Sequence, residues 1–239
     1  MRKFLTGLIV CIPVVLHAQN LRSGGPLKPE QAIMDVRHYT LALEVDPANQ
    51  AISGYTEIRI NYAQMPSVIL LDFWKGLSVS RVLVNNKTSR FEHTDDDLLK
   101  IETQHLNLRN LNNQTVRIYY NGKPGIAERP PWVGGFQWEK DSRGNPWVAI
   151  TCQNEGGKIF FPCKDHPSDE PDEGADLIIT VPKGLVVAGP GLLISQKTKG
   201  NLTTFHWRTR YPISNYCLVF NIGKFKKVSR PYTTIAGNT

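Results

Sequence analysis

The sequence predicts an all-β protein: a twisted two-sheet sandwich or saddle-like domain of mixed, mainly antiparallel strands. Three observations carry that prediction. Apolar and polar residues alternate at period two through much of the 239-residue chain, which is the pattern of half-buried strands. Gly, Pro and Asn interrupt the alternation at short intervals, as turns between strands require. Long stretches with a 3.6-residue apolar period are scarce, which disfavours a helical body.

Taken in order, the chain opens on MRKFLTGLIVCIPVVLHA. Arg2 and Lys3 precede an apolar run from Phe4 to Leu16, and the small Ala18 stands before the polar Gln19. This is the arrangement of a secretory signal over residues 1–18, with an apolar run too short to span a bilayer comfortably. Export to the periplasm or the extracellular space is expected, with no membrane-spanning segment later in the chain. Residues 19–36 read as a leader segment. In RHYTLALEVD, residues Tyr39, Leu41, Leu43 and Val45 share one strand face. PANQ (47–50) breaks the pattern, and AISGYTEIRINY resumes it with Ile52, Ile58, Ile60 and Tyr62, so the two runs predict a hairpin. Further strands are expected over 68–73, 77–84, 98–101, 115–122, 147–151, 175–181, 185–189, 203–208 and 215–225. Residues 122–147 and 163–176 read as irregular loops, long enough to pack or to function. Residues 37–228 make one β domain, and 229–239 begin a linker toward a further, catalytic domain missing from this chain.

Composition narrows the function. A hydrophobic share of 41% with 21% charged residues excludes wholesale disorder. The formal charge of +7 falls to +5 when Arg2 and Lys3 leave with the signal. The remaining basic residues are scattered apart from GKFKKVSR (223–230), so the basic stripe of a nucleic-acid-binding protein is absent. Loss of Cys11 leaves Cys152, Cys163 and Cys217, an odd number without a C-x-x-C pair. That argues against a disulfide framework or a zinc knuckle and for small buried thiols, with a single bridge left open. No histidine is followed by Glu, so the H-E-x-x-H metal motif is missing, as are G-x-S-x-G and the Gly-rich phosphate loops. The acidic run from Asp165 to Glu173 lacks EF-hand spacing, and Pro167 and Pro171 fix its backbone; it reads as a rigid solvated loop, not a cation site. Neither a catalytic residue nor a metal-ligand set is expected within the chain.

One stretch is more specific. CQNEGGKIFFPCKDHPSDEPD (152–172) resembles the signature of the N-terminal domain of aminopeptidase N-like zinc metallopeptidases. YTLALEVDPANQAISGYTEIRI is similar to that family's opening hairpin. SNYCLVFNIGKF resembles its closing strand, with Ser214, Tyr216 and Gly223 in place, and PPWVGGFQWEKDSRGNPWVAITCQ is similar to bacterial extracytoplasmic members. The resemblance runs from about Tyr39 to Phe225. It implies a domain that forms one side of a substrate cleft, with Gln153 at the position that binds a peptide's N-terminal end and Glu155 as a second candidate. It implies a structural role for Pro162, Cys163 and Asp165 in the turn behind Gln153. It also implies Zn2+ in the intact enzyme, held by a second domain, so this chain alone would be inactive. Two departures stand out: Lys158 replaces the usual Arg and loses bidentate pairing, and Ile150-Thr151 replaces Thr-Gln. A different class of function also fits the sequence, a stand-alone exported module binding peptide or glycan through Trp132, Phe136, Trp138 and Trp147, although such large aromatics also serve as core.

Overall fold

The computed structural model describes residues 23–104, 110–233 and 235. The signal segment 1–18 and the end of the expected linker lie outside these. Among the described residues there are fifteen strands. They are β1 (Met34–Asp46), β2 (Ala51–Tyr62), β3 (Val68–Asp72), β4 (Ser78–Val84), β5 (Lys87–Ser89), β6 (Phe91–His93), β7 (Leu98–Glu102) and β8 (Gln114–Gly122). These are followed by β9 (Gly135–Lys140), β10 (Pro146–Thr151), β11 (Ala175–Pro182), β12 (Val186–Ala188), β13 (Leu192–Lys199), β14 (Leu202–Thr209) and β15 (Asn221–Gly223). One short helix, Pro29–Ala32, precedes β1, so the expected leader already contains a helix and the start of a strand.

Eight strands form the large sheet in the order β13-β14-β11-β1-β2-β8-β4-β5. A four-stranded sheet runs β12-β15-β10-β9, and a three-stranded one runs β3-β7-β6. The all-β class holds, with a third small sheet added to the two that were expected. Among the named strands pairing is antiparallel except between β1 and β11, where Tyr39 meets Ala175 and Leu43 meets Ile179 in parallel; an isolated parallel bridge also joins Ile126 to Phe136 of β9.

The β1–β2 hairpin forms where the alternation placed it. Asp46 closes the turn by accepting hydrogen bonds from the Ala48 and Asn49 amides, 2.9 and 3.2 Å long. Leu41, Leu43, Val45, Ile52, Ile58 and Ile60 then fall on one face and are fully buried. Gly54 is the exception the hairpin needs. Its φ is +148°, and a Cβ there would sit 2.0 Å from the Ala42 carbonyl oxygen on β1, a backbone approach open only to glycine. Gly54→Ala should therefore lower stability by about 1–3 kcal/mol, read as a shift in the urea midpoint at unchanged slope.

Aromatic rings link the layers. Phe160 touches Phe136 (5.7 Å between centroids), Phe161 (4.8 Å) and Phe220 (6.1 Å), and Phe161 in turn packs edge-on against Tyr39 at 5.7 Å. The large sheet's core is thereby continuous with that of the small sheet.

Three local expectations change. Residues 122–147 are not wholly irregular, since they contain β9 paired along β10 from Gly135 to Lys140. The apolar run 215–225 is mostly not a strand: Asn215–Cys217 is a 3-10 turn, and pairing is confined to Asn221–Gly223. The acidic loop is only partly solvated. Asp165 is 8% exposed, and Lys164 and Asp169 form a buried ion pair at 2.8 Å.

Candidate functional site

Strand β10 ends at Thr151 and delivers Gln153 to the mouth of a shallow cleft of 330 Å³ lined by Trp132, Thr151, Cys152, Gln153, Tyr216 and Cys217, among others. The chain turns immediately after β10. The Glu155 and Gly156 amides both donate to the Cys152 carbonyl, at 3.1 and 2.8 Å. Asn154 (φ +63°) and Gly156 (φ +78°) take left-handed conformations that let the turn close; Asn tolerates that region better than most residues and Gly adopts it freely.

Two segments pin this turn from outside. The Gly134 amide donates to the Gln153 carbonyl at 3.0 Å, and Asn154 Nδ2 donates to the Trp132 carbonyl at 2.8 Å. A side chain at position 134 would collide with the Thr151 carbonyl oxygen at 2.5 Å, so the glycine permits the close approach. The Gln153 side chain is fixed separately: the Tyr216 hydroxyl donates to Gln153 Oε1 at 2.6 Å. Tyr216 reaches it from the 3-10 turn Asn215–Cys217, whose Asn215 is buried and donates through Nδ2 to the Lys164 carbonyl at 2.7 Å. A neutral amide held in this way presents Nε2–H donors and a second Oε1 lone pair toward a ligand.

The structure separates the two sequence candidates. Glu155 lines a neighbouring cleft with Trp74, Ile126 and Glu128, not the one that holds Gln153. The turn residues lie behind the site. Pro162 and Cys163 are buried, and Cys163 bridges to Asp72, with Asp72 N–H donating to the Cys163 carbonyl at 2.8 Å and the return bond at 3.0 Å. Asp165 packs its carboxylate against Gly156: a Cβ on that glycine would lie 2.1 Å from Asp165 Oδ2. The signature turn thus abuts the loop that carries Gln153. Cys152 is buried, and burial pushes its thiol well above the ordinary range; Cys217 is exposed, and all three thiols are free.

Asp165 has its carboxyl raised from 3.8 to about 6, chiefly by burial, against the pull of the Ser23 hydroxyl; the Asp72 charge lifts it further and Lys158 lowers it. The native state therefore holds this proton more tightly than the unfolded chain does. The associated stability is complete below 3.8 and disappears as pH rises through about 6. At roughly 1.4 kcal/mol per pKa unit, the swing is about 2–3 kcal/mol. Urea unfolding should show the native protein gaining on Asp165→Asn as pH falls from neutral to about 4. Parallel pH curves for the two would refute this assignment.

The aromatic candidates divide. Phe136 is fully buried, and Trp138 packs partly into the core with its ring 5.2 Å from Phe136. Trp132 and Trp147 remain 63% and 40% exposed. Among the described residues no group of three His, Cys, Asp or Glu side chains is disposed to hold a metal ion.

The Peptidase M1 N-terminal domain family matches residues 36–217. The chain belongs to that family. A mutant of the M1 zinc metallopeptidase from Deinococcus radiodurans, solved with a Tyr-Ser-Ala substrate bound, is 27% identical with a TM-score of 0.71, covering 86% of this chain and 46% of that one. Leukotriene A-4 hydrolase from Xenopus laevis is 24% identical over 214 residues, 84% of this chain and 34% of its own length. Native leukotriene A4 hydrolase from Saccharomyces cerevisiae, at 20% identity and a TM-score of 0.60 over 80% of this chain, shares the fold. This M1 N-terminal domain thus spans less than half the length of these relatives. The match begins within β1 and ends at Cys217 beside Tyr216, so it takes in both Gln153 and its hydroxyl partner.

Proposed function

We propose that this domain supplies one wall of the substrate cleft of an exported zinc metalloaminopeptidase, which removes N-terminal residues from peptides. Gln153 is the residue that meets the substrate's free amino end. The observation that carries this reading is the Tyr216–Gln153 contact, which fixes a neutral amide at the mouth of the cleft while Trp132 offers an apolar flank. An ammonium group would donate to Gln153 Oε1, and the first peptide carbonyl would accept from Nε2. Holding the amide in one orientation before the ligand arrives reduces the ordering cost of binding. The zinc and the groups that act with it belong to a second domain, so the chain by itself orients a peptide end without cleaving it.

The test uses the purified chain and a Tyr-Ser-Ala tripeptide, with its N-acetylated form as control. Amide chemical shifts around Gln153 and Tyr216 should move with the free tripeptide and stay still with the acetylated one. Gln153→Ala should weaken binding by about tenfold, a loss near 1.4 kcal/mol, and Tyr216→Phe by less. Equal responses to both peptides would overturn the role given to Gln153. Zinc-dependent hydrolysis of an aminoacyl anilide by the chain alone would overturn the division of labour between domains. The second reading, a self-sufficient module for peptide or glycan, draws on the exposed Trp132 and Trp147. It calls for tight ligand binding that survives Gln153→Ala.

A further inference from the structure

The face of the large sheet turned away from the buried core carries a basin of 530 Å³ whose lining side chains are all polar or charged. Successive strands supply them in register. Arg208 on β14 stands beside Asp176 on β11, Asp176 beside Thr40 on β1, and Thr40 beside Glu57 on β2. Next to that row, His38 on β1 meets Arg59 on β2, and Arg59 meets Thr115 on β8. The alternation that buries Tyr39, Leu41, Ile58 and Val116 sends these residues outward.

Each acid in the basin is already matched by a cation. Asp176 Oδ1 accepts from His206 Nε2 at 2.5 Å and from Arg208 Nε at 2.7 Å. Its Oδ2 accepts from Arg208 Nη2 at 3.2 Å, and His38 Nε2 stands 3.2 Å from the same oxygen. Glu57 holds Arg117 through Nε at 2.8 Å and Nη2 at 2.6 Å. Glu173 pairs with Arg59 and, at 3.6 Å, with Arg37, which also meets Asp35 and Asp172. Arg210 is exposed in the lining, and no carboxylate of the described residues pairs with it. The two imidazoles add to that surplus of positive charge as pH falls. Each turns Nε2 to Asp176, so the proton it gains sits on Nδ1 and makes a new donor. No fourth acid lines the basin to match them.

An oxyanion presents several acceptor oxygens at once, which suits guanidinium forks, hydroxyls and imidazolium N–H groups gathered in one concavity. We propose that this basin binds a doubly charged oxyanion group, a sulfate or phosphate or an ester of either, together with protons on its histidines. Arg210 supplies the unmatched charge, Thr40 and Thr115 supply hydroxyls, and His38 supplies the pH dependence. Burial holds the His38 imidazole below its ordinary value, with Asp176 pulling it up and Arg59 pushing it down. A dianion in the basin favours the charged ring, and by linkage the charged ring tightens the dianion. The basin shares no lining residue with the Gln153 cleft, so this site does not depend on the aminopeptidase reading.

Inorganic sulfate is the probe, since its charge is constant across the histidine range whereas that of a phosphate is not. The His38 ring signals of the full chain are followed through a pH titration at constant ionic strength, with sulfate replacing chloride. Sulfate should raise the His38 titration midpoint, a readout that needs no variant to fold. Its affinity should be about fivefold or more greater at about pH 5 than at about pH 8. Arg210→Gln, at an exposed position, should weaken sulfate several-fold while leaving the urea midpoint in place. His38→Gln should flatten the pH dependence. A sulfated hexose that binds more tightly than free sulfate would assign the oxyanion to a glycan ester, and equal binding would assign it to the free ion. A His38 midpoint unmoved when sulfate replaces chloride would overturn the proposal. So would an Arg210→Gln chain that binds sulfate as well as the unsubstituted one, since the unmatched guanidinium would then play no part.

Discussion

Phe160→Ala should cost about 3–5 kcal/mol, the range for emptying a fully buried aromatic site. The ring is wholly inaccessible and contacts Phe136 from β9, Phe161 and Phe220. The loss should appear as a lower urea midpoint, with Phe160→Leu retaining most of the stability. A second effect follows from position. Phe160 closes the 3-10 turn Gly157–Ile159 that follows Gly156, so the 152–156 loop should exchange its amides faster in the variant. A loss under about 1 kcal/mol would show that the aromatic cluster is not what joins the two sheets.

Asp169→Ala should be comparably severe, for a different reason. Lys164 is 4% exposed at its side chain; its ammonium donates to the Met34 carbonyl at 2.6 Å and to Asp169 at 2.8 Å. Asp169 also accepts from the Val36 amide at 3.0 Å, which ties the acidic loop to the start of β1. Removing the carboxylate strands a buried positive charge on one carbonyl, a change that typically costs about 3–5 kcal/mol. The pair itself is not strongly favourable: burial outweighs the nearby lysine and lifts the Asp169 carboxyl above its ordinary value. The double variant Lys164→Met with Asp169→Ala should therefore be more stable than Asp169→Ala alone. If the double variant is the worse of the two, the lysine is supported by something other than this carboxylate. Thermal or chemical unfolding of Asp169→Ala, Lys164→Met and the double variant closes the cycle.

The sequence was legible where one face of an element is buried and the other is wet. β1, β2, β8 and β11 alternate buried and wetter side chains over most of their length, and those residues could be placed in advance. β13 was invisible for the opposite reason. LLISQKTK lies at the edge of that sheet with nearly every side chain exposed, so burial imposes no period on it. β9 was hidden by the turn residues around it, and its pairing is long enough to see only once β10 lies beside it. The run around Leu218 and Phe220 is apolar enough to suggest a strand, but those residues are buried as plugs following a 3-10 turn, with little ladder pairing. Length and hydrophobicity do not distinguish those two ways of filling a core.

The candidate site divides in the same way. Gln153 could be singled out through family resemblance, and Tyr216 was visible only as part of the closing motif. Their contact joins residues 63 positions apart, and no local spacing encodes it. Asp165 read as part of a solvated loop because it opens a run of carboxylates with prolines between them; Glu170, Asp172 and Glu173 are indeed exposed, but Asp165 is buried where the chain folds back over Gly156. Composition cannot show which acid in a cluster is covered.

The parallel pairing of β1 with β11 has a consequence for how the chain is made. Tyr39 waits for Ala175, so the centre of the large sheet stays half-built while all the intervening strands are synthesised. Through that interval one flank of β1 presents unpaired amides and apolar side chains to any other nascent chain. The early hairpin supplies a local start, but completion is a late and distant event, of the kind that folds slowly. Ribosome stalling or premature termination before Pro182 should therefore yield aggregates, and a holdase that shields the first hairpin should raise the yield of soluble protein.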